Sequence, residues 1–181
     1  MDTVIRFAHK EDIPQLLKWS LSPDYLFYFG NLNPGTIASQ KEEWIRRIDL
    51  NQLAFGPRQT LMVLNTQSIP IGFITLANID WRNRHCAFEI YFDKKAREQN
   101  LALDTTAFVF KYVFEQLGLN KIYSYVLSEN KPVLAMQKTI DQKPEAIFNK
   151  QFLVNGKYYD VYLFGYHRSE MAKEIEKRLT K

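Results

Sequence analysis

The chain has a single cysteine, Cys86, in 181 residues. One cysteine excludes an internal disulfide and any metal site built on clustered thiolates. Glycine is scarce as well, with 7 residues, and none falls in the loop-like stretch "KKAREQNLALDTT" (94–106). No apolar run approaches the roughly 20 residues needed to cross a bilayer. The N-terminal "MDTVIRFAHKEDI" is charged and alternating, unlike a secretory leader. Neither sign of charge dominates: the net charge of +4 favours anionic ligands only mildly, and it is too evenly spread to indicate nucleic acid. Internal repeats and low-complexity stretches are missing. The expectation is one cytoplasmic domain over residues 1–181, with no metal, no nucleic acid and no membrane partner.

Hydrophobic residues make up 46% of the chain, enough for a full core. "TVIRFA" alternates like a strand, and "KEDIPQLLKWSLS" reads as a helix with Pro14 tolerated in its first turn. "SPDYLFYFGNLNPG" is aromatic but aperiodic. "SQKEEWIRRI" reads as a second helix, with Ser39 and Glu42 forming a capping box. "QTLMVLN", "IPIGFITLANI" and "HCAFEIYF" follow as strands. The next segment predicts a helix from about Leu101 to Leu117, with Leu103, Ala107, Phe110, Phe114 and Leu117 on its core face and Gly118 as its stop. "KIYSYVL" is a further strand, so strand, helix and strand form a βαβ unit with one parallel step. Asn130 and Pro132 open another helix. "AIFNKQFLV-NG-KYYDVYLFGY" carries the Asn-Gly signature of a hairpin, and "SEMAKEIEKRL" closes the chain as a polar helix. The fold class is α/β (α+β), a mostly antiparallel twisted sheet of about seven strands with flanking helices.

Four segments in this order resemble the GCN5-related N-acetyltransferase (GNAT) superfamily. They are "IGFITLANIDWRNRHCAFEIYF", "FDKKAREQNLALDTTAFVF", "YSYVLSENKPVLAMQK" and "VNGKYYDVYLFGYHRSE". The last is similar to the branch containing ribosomal-protein alanine, spermidine and amino-sugar-nucleotide acetyltransferases. The resemblance implies a splay between the fourth and fifth strands that admits acetyl-CoA, with Ile90, Tyr91 and Phe92 supplying backbone to the pantetheine arm. It places the diphosphate on Arg97, Gln99, Asn100, Leu101, Ala102 and Leu103. Asn100 stands where the family pattern has glycine. Among residues other than glycine, asparagine best tolerates the left-handed backbone that such a cradle demands. Asn130 is expected both to cap its helix and to contact the cofactor arm.

Acetyl transfer to an amine sets its own requirements. An alkyl ammonium with a pKa of about 10.4 is neutral to about one part in 2,500 at pH 7, so the site must help remove a proton and stabilise an oxyanion. Glu89 is the first candidate base; relatives carry an acid two positions earlier, where this chain has Ala87. The alternative is that Glu89 is a solvent-facing strand residue. His85 is the second candidate, with an ordinary loop histidine as the alternative. The tyrosine that often protonates the leaving thiolate in the family would fall at Gln137; Tyr125 and Tyr158 are the candidates to stand in, with core or hairpin packing as the alternative, and several members of the branch lack that tyrosine. Asp24, Tyr25, Tyr28, Trp81 and Tyr158 are the candidate acceptor wall, unless the aromatics of that segment simply bury one another. Cys86 lies in a strand without an activating partner and reads as structural. The expected activity is direct acetylation of a small amine, amino sugar or peptide N-terminus by a monomer or homodimer. The substitutions at Asn100, Ala87 and Gln137 leave open a catalytically weak acyl-CoA-binding or partner-binding module.

Overall fold

The computed structural model describes residues 3–29, 35–97 and 101–170. In chain order they form β1 (Thr3–Phe7), α1 (Ile13–Ser20), α2 (Pro23–Phe29), α3 (Ile37–Asp49), β2 (Gln59–Asn65), β3 (Pro70–Asp80), β4 (His85–Phe92), α4 (Leu101–Lys111), β5 (Lys121–Leu127), α5 (Lys131–Thr139), β6 (Ala146–Val154) and β7 (Lys157–His167). The strands make one seven-stranded sheet in the order β1-β2-β3-β4-β5-β7-β6. Every neighbouring pair is antiparallel except β4 and β5, which are parallel and joined through α4. The expected class and strand number therefore match the observed sheet.

Helices cover both faces. Strand alternation sends Val63, Ile74, Cys86 and Ile122 into a core beneath α4. It sends Met62, Phe73 and Tyr91 to the other side, against Leu16, Trp19, Tyr25 and Trp44 of α1, α2 and α3. In the β6–β7 turn, Asn155 (φ 49°) and Gly156 (φ 76°) both take left-handed backbone, as a two-residue hairpin with matching twist requires.

Three local expectations need correction. Residues 23–29 form a helix, because Tyr25 and Phe29 lie one turn apart and stack at 4.7 Å between centroids, and Ser22 Oγ accepts from the Tyr25 N–H. Helix α3 begins at Ile37, capped by Thr36 Oγ1, which accepts from the Ser39 N–H at 3.1 Å, so no Ser39–Glu42 box sets its start. The core face of α4 is Thr105, Val109, Phe110, Val113 and Phe114; Ala107 is exposed and Leu117 only half-buried. The cause is twofold: the helix widens into a π turn over Tyr112–Gln116, and Ala107 faces a cavity.

Candidate active site

Strands β4 and β5 stay together for only three residue pairs: His85 with Lys121, Cys86 with Ile122, and Ala87 with Tyr123. Beyond Ala87 they part. The β5-facing edge of Phe88–Phe92 has no strand partner, nor has the β4-facing edge of Ser124–Leu127. A cavity of about 1010 Å³ occupies the opening. Its floor comes from both strands, and the small residues Ala102, Thr106 and Ala107 of α4 leave room on one side. Asn130, Val133 and Gln137 of α5 close another. Asn130 holds the N-cap position of α5 but makes no side-chain cap bond, so the expected cap is absent and its amide faces the cavity.

Glu89 lines this cavity. Glu89 is an exposed residue of β4 that opens onto the cavity, and the protein gathered around its carboxyl withdraws that group from bulk water. Burial therefore raises its pKa, although Arg58 and Arg47 pull the other way. Register explains its surroundings. Glu89 pairs with Thr75, and Thr75 with Thr60, on the sheet face covered by α1, α2 and α3. On the opposite face Tyr166 of β7, 3% exposed, packs against Phe110 and Phe88. Burial pushes its hydroxyl up to about 12, while Gln137 and Ser124 lie against that hydroxyl and favour the anion. Gln137 Oε1, itself buried, has no hydrogen-bond partner among the described residues. The Cys86 thiol is fully buried and pushed up to about 12 by that burial, which leaves no nucleophile there.

The residues singled out from sequence fall in different places. Ile90, Tyr91, Phe92, Arg97, Ala102, Asn130, Glu89, Tyr125 and Tyr28 line the cavity. Gln99 and Asn100 lie outside the described residues, as does the side chain of Leu103, and Leu101 is buried beside the cavity. His85 sits at the closed end of the β4–β5 pair, its Nε2 3.7 Å from Asp80 and its ring against Tyr123, away from the opening. Trp81 donates from Nε1 to the Gly56 carbonyl at 3.0 Å and packs on Phe55 at the far hairpin. Tyr158 is exposed on the β6–β7 hairpin, outside the cavity. Tyr25 is buried among Phe29, Phe73 and Tyr91. Asp24 is occupied by Arg97, whose guanidinium donates to it at 2.9 Å, donates from Nε to the Phe92 carbonyl and lies over the Tyr91 ring.

Sequence reading missed Tyr166, Ser124, Arg47 and Arg58. A tyrosine in a strand reads as packing, and only the β5–β7 register, Tyr166 opposite Ile122, brings it to the opening. For Arg58 a signal existed: it precedes Thr60 by two and so shares its sheet face. Without the β2–β3–β4 register that face could not be linked to Glu89.

Among the described residues no helix is long and apolar enough to cross a membrane, and no group of three or more His, Cys, Asp or Glu side chains is placed to hold a metal. The family model for the acetyltransferase (GNAT) domain matches residues 3–141. An uncharacterized N-acetyltransferase, p20, of Bacillus licheniformis is 25% identical over 93% of this chain and 94% of its own. The spermidine N(1)-acetyltransferase of Vibrio cholerae is 27% identical over 55% of this chain and 58% of its own. The crystal structure of spermidine N-acetyltransferase from Vibrio cholerae, in complex with CoA and spermine, shares the fold with a TM-score of 0.83. It is 20% identical, over 93% of this chain and 96% of that one. The chain thus belongs to the GNAT acetyltransferase family, as an N-acetyltransferase that uses acetyl-CoA.

Proposed function

We propose that the acceptor amine enters on the α1–α3 face of the β4–β5 opening, that Glu89 takes its proton, and that Tyr166 guards the other face. The observation that carries this reading is the parting of β4 and β5 after three residue pairs with Glu89 on the wall of the gap. Two unpaired strand edges need hydrogen-bond partners, and an extended chain bearing amides fits between them as an added strand. The pantetheine arm of acetyl-CoA is such a chain. The residues that would hold it are the backbone of Phe88–Phe92, the side chain of Asn130 and the unpartnered Gln137 Oε1. Arg97, near the start of α4, would meet the diphosphate. Acetyl-CoA supplies an activated thioester carbonyl; everything else is the work of this chain.

Glu89 shares its sheet face with Tyr125, because Ala87 pairs with Tyr123 and both strands alternate. That face therefore presents a base and a phenol to the acceptor. A carboxylate whose pKa is raised by burial is a stronger base once ionised. Tyr166 stands on the α4 side, its hydroxyl held by Gln137 and Ser124. The Tyr166 phenol stays protonated at neutral pH, so it can donate a hydrogen bond to the departing thiolate. The acceptor is a primary amine. The spermidine acetyltransferases among the relatives make polyamines one candidate class, beside amino sugars and peptide N-termini.

Glu89→Gln tests this reading by thiol release over a panel of amines. Proton abstraction requires the carboxylate, so wild-type kcat should rise with pH through a limb above the ordinary glutamate range of about 4.3. The variant should lose about 10²- to 10⁴-fold in rate and lose that limb. The same shift has a stability consequence of opposite sign. The folded protein holds the Glu89 proton more tightly than the unfolded chain. That contribution is complete at low pH and is lost as pH rises through the raised pKa. Glu89→Gln should therefore melt above wild type at alkaline pH and with it at acid pH. A rate within threefold of wild type, with the limb intact, would remove Glu89 from the mechanism.

A further inference from the structure

The α1–α3 face of the sheet holds a cation with no hydrogen-bond or ion-pair partner among the described residues. Arg58 precedes β2 directly and shares a sheet face with Thr60, which pairs with Thr75 and, through it, aligns with Glu89. The backbone around it is fixed, because the Pro57 carbonyl accepts from the Ile79 N–H at 2.9 Å. Arg58 is half-buried, yet its guanidinium makes no hydrogen bond or ion pair with any described residue. Its charged neighbours act only at longer range. Arg47 repels it, while Glu89 and Glu43 attract it.

The nearby acids do not satisfy it. Glu43 is already taken, by Arg46 at 2.6 Å and Arg47 at 2.7 Å. Arg47 is itself saturated by Glu43, by the Trp44 ring at 4.9 Å and by Tyr25. Glu89, the remaining acid, stays further than ion-pair distance from either arginine. In the same row Thr60 Oγ1 is fully buried and has no hydrogen-bond partner among the described residues. Beside that row Ala77 faces Ala87 across β3 and β4, and both are buried. The Arg58 guanidinium reaches solvent and has no protein acceptor among the described residues, so its donors are free to meet an oxygen brought by a ligand.

We propose that Arg58, backed by Arg47, is the subsite for an oxyanion carried by the acceptor: this enzyme acetylates an amine that bears a carboxylate or a phosphate. The inference rests on the amine acceptor entering beside Glu89. A polyamine, cationic along its length, would meet two arginines on that face and be disfavoured by charge. The planar fork of an arginine matches either oxyanion with two parallel N–H donors, while Glu89 in the next row remains for the ammonium proton.

The test is a set of matched acceptors with the full chain, read by thiol release. The pairs are a dipeptide with its C-terminal amide and glucosamine 6-phosphate with glucosamine; spermidine stands alone. The first pair isolates a carboxylate, the second a phosphate. The anionic member of one pair should exceed its neutral twin in kcat/KM by about ten- to a hundredfold, the worth of one charge-assisted contact, and should also exceed spermidine. In Arg58→Met the ratio within that pair should fall to about one, whatever happens to the absolute rates. Arg58→Lys keeps the charge but not the fork, folds if the methionine variant does not, and should retain an intermediate ratio. A preference for neutral acceptors or spermidine would overturn the subsite while leaving acetyl transfer intact, and so would an anionic preference unchanged in both variants. Release with no amine at all would defeat the acetyl-transfer reading instead. The subsite would then be decided by inorganic phosphate added to the CoA-saturated protein, which should raise the melting temperature of wild type and not of Arg58→Met.

Discussion

Alternate residues of β4 look into two unlike environments. Cys86, Phe88, Ile90 and Phe92 turn to the α4 side, where Phe110, Phe114, Ile122 and Tyr166 pack around them. Ala87 and Glu89 turn to the other side, where the neighbours are Thr75, Thr60, Arg58, Arg47 and Tyr25. One face is set by shape and closed by apolar contact. The other is set by charge at Glu89, while Tyr91 on the same side joins the aromatic cluster of Trp19, Tyr25 and Phe73. A thioester arm and its acceptor ask for that division: the first needs a fitted slot, the second a place to shed a proton.

Breaking the shape side should cost stability first. Phe110→Ala removes the ring that joins Phe88, Phe114 and Tyr166. It should lower unfolding free energy by about 3–5 kcal/mol, read from urea denaturation. A loss below about 1 kcal/mol would show that the slot is not held by this packing. Tyr166→Phe sharpens the division further, since it keeps the ring and deletes only the hydroxyl. We expect kcat to fall by about 10²-fold while CoA affinity, read by calorimetry, holds; a matching fall in affinity would make Tyr166 a packing residue. The smallest effect should come from Asp24→Asn, which releases Arg97 at the rim. An exposed pair is worth no more than about 1 kcal/mol, so CoA should bind up to about fivefold tighter with little change in stability. No change in affinity would mean that Arg97 does not meet the diphosphate.

The fold was largely legible in the sequence, because β2 and β4 are short, near-continuous apolar runs bounded by turn residues, β5 partly alternates, and the Asn155–Gly156 turn has a conformational requirement few residues meet. Most residues expected on the cofactor side line one cavity, because they are consecutive in β4 or lie at the start of a helix. The acceptor side was not legible. Arg58, Thr75 and Glu89 are far apart in the chain and become neighbours only through two strand registers. Asp24 and Arg97 each looked like a ligand residue when read alone, and their mutual ion pair is a tertiary fact. Trp81 and His85 share a hairpin with the site but sit at its wrong end, which depends on how far β4 and β5 remain zipped.

That zip is short. Three residue pairs join the half of the sheet holding β1 to β4 with the half holding β5, β7 and β6. A ligand laid along the open edges would serve as the missing length of strand between the two halves, stitching them as well as occupying a site. Binding to the folded state alone then stabilises it by an amount that grows with ligand supply, about 2.7 kcal/mol at a hundredfold excess over Kd. In a cell the folded population of such an enzyme would track the acetyl-CoA pool, making its persistence a gauge of the fuel it consumes.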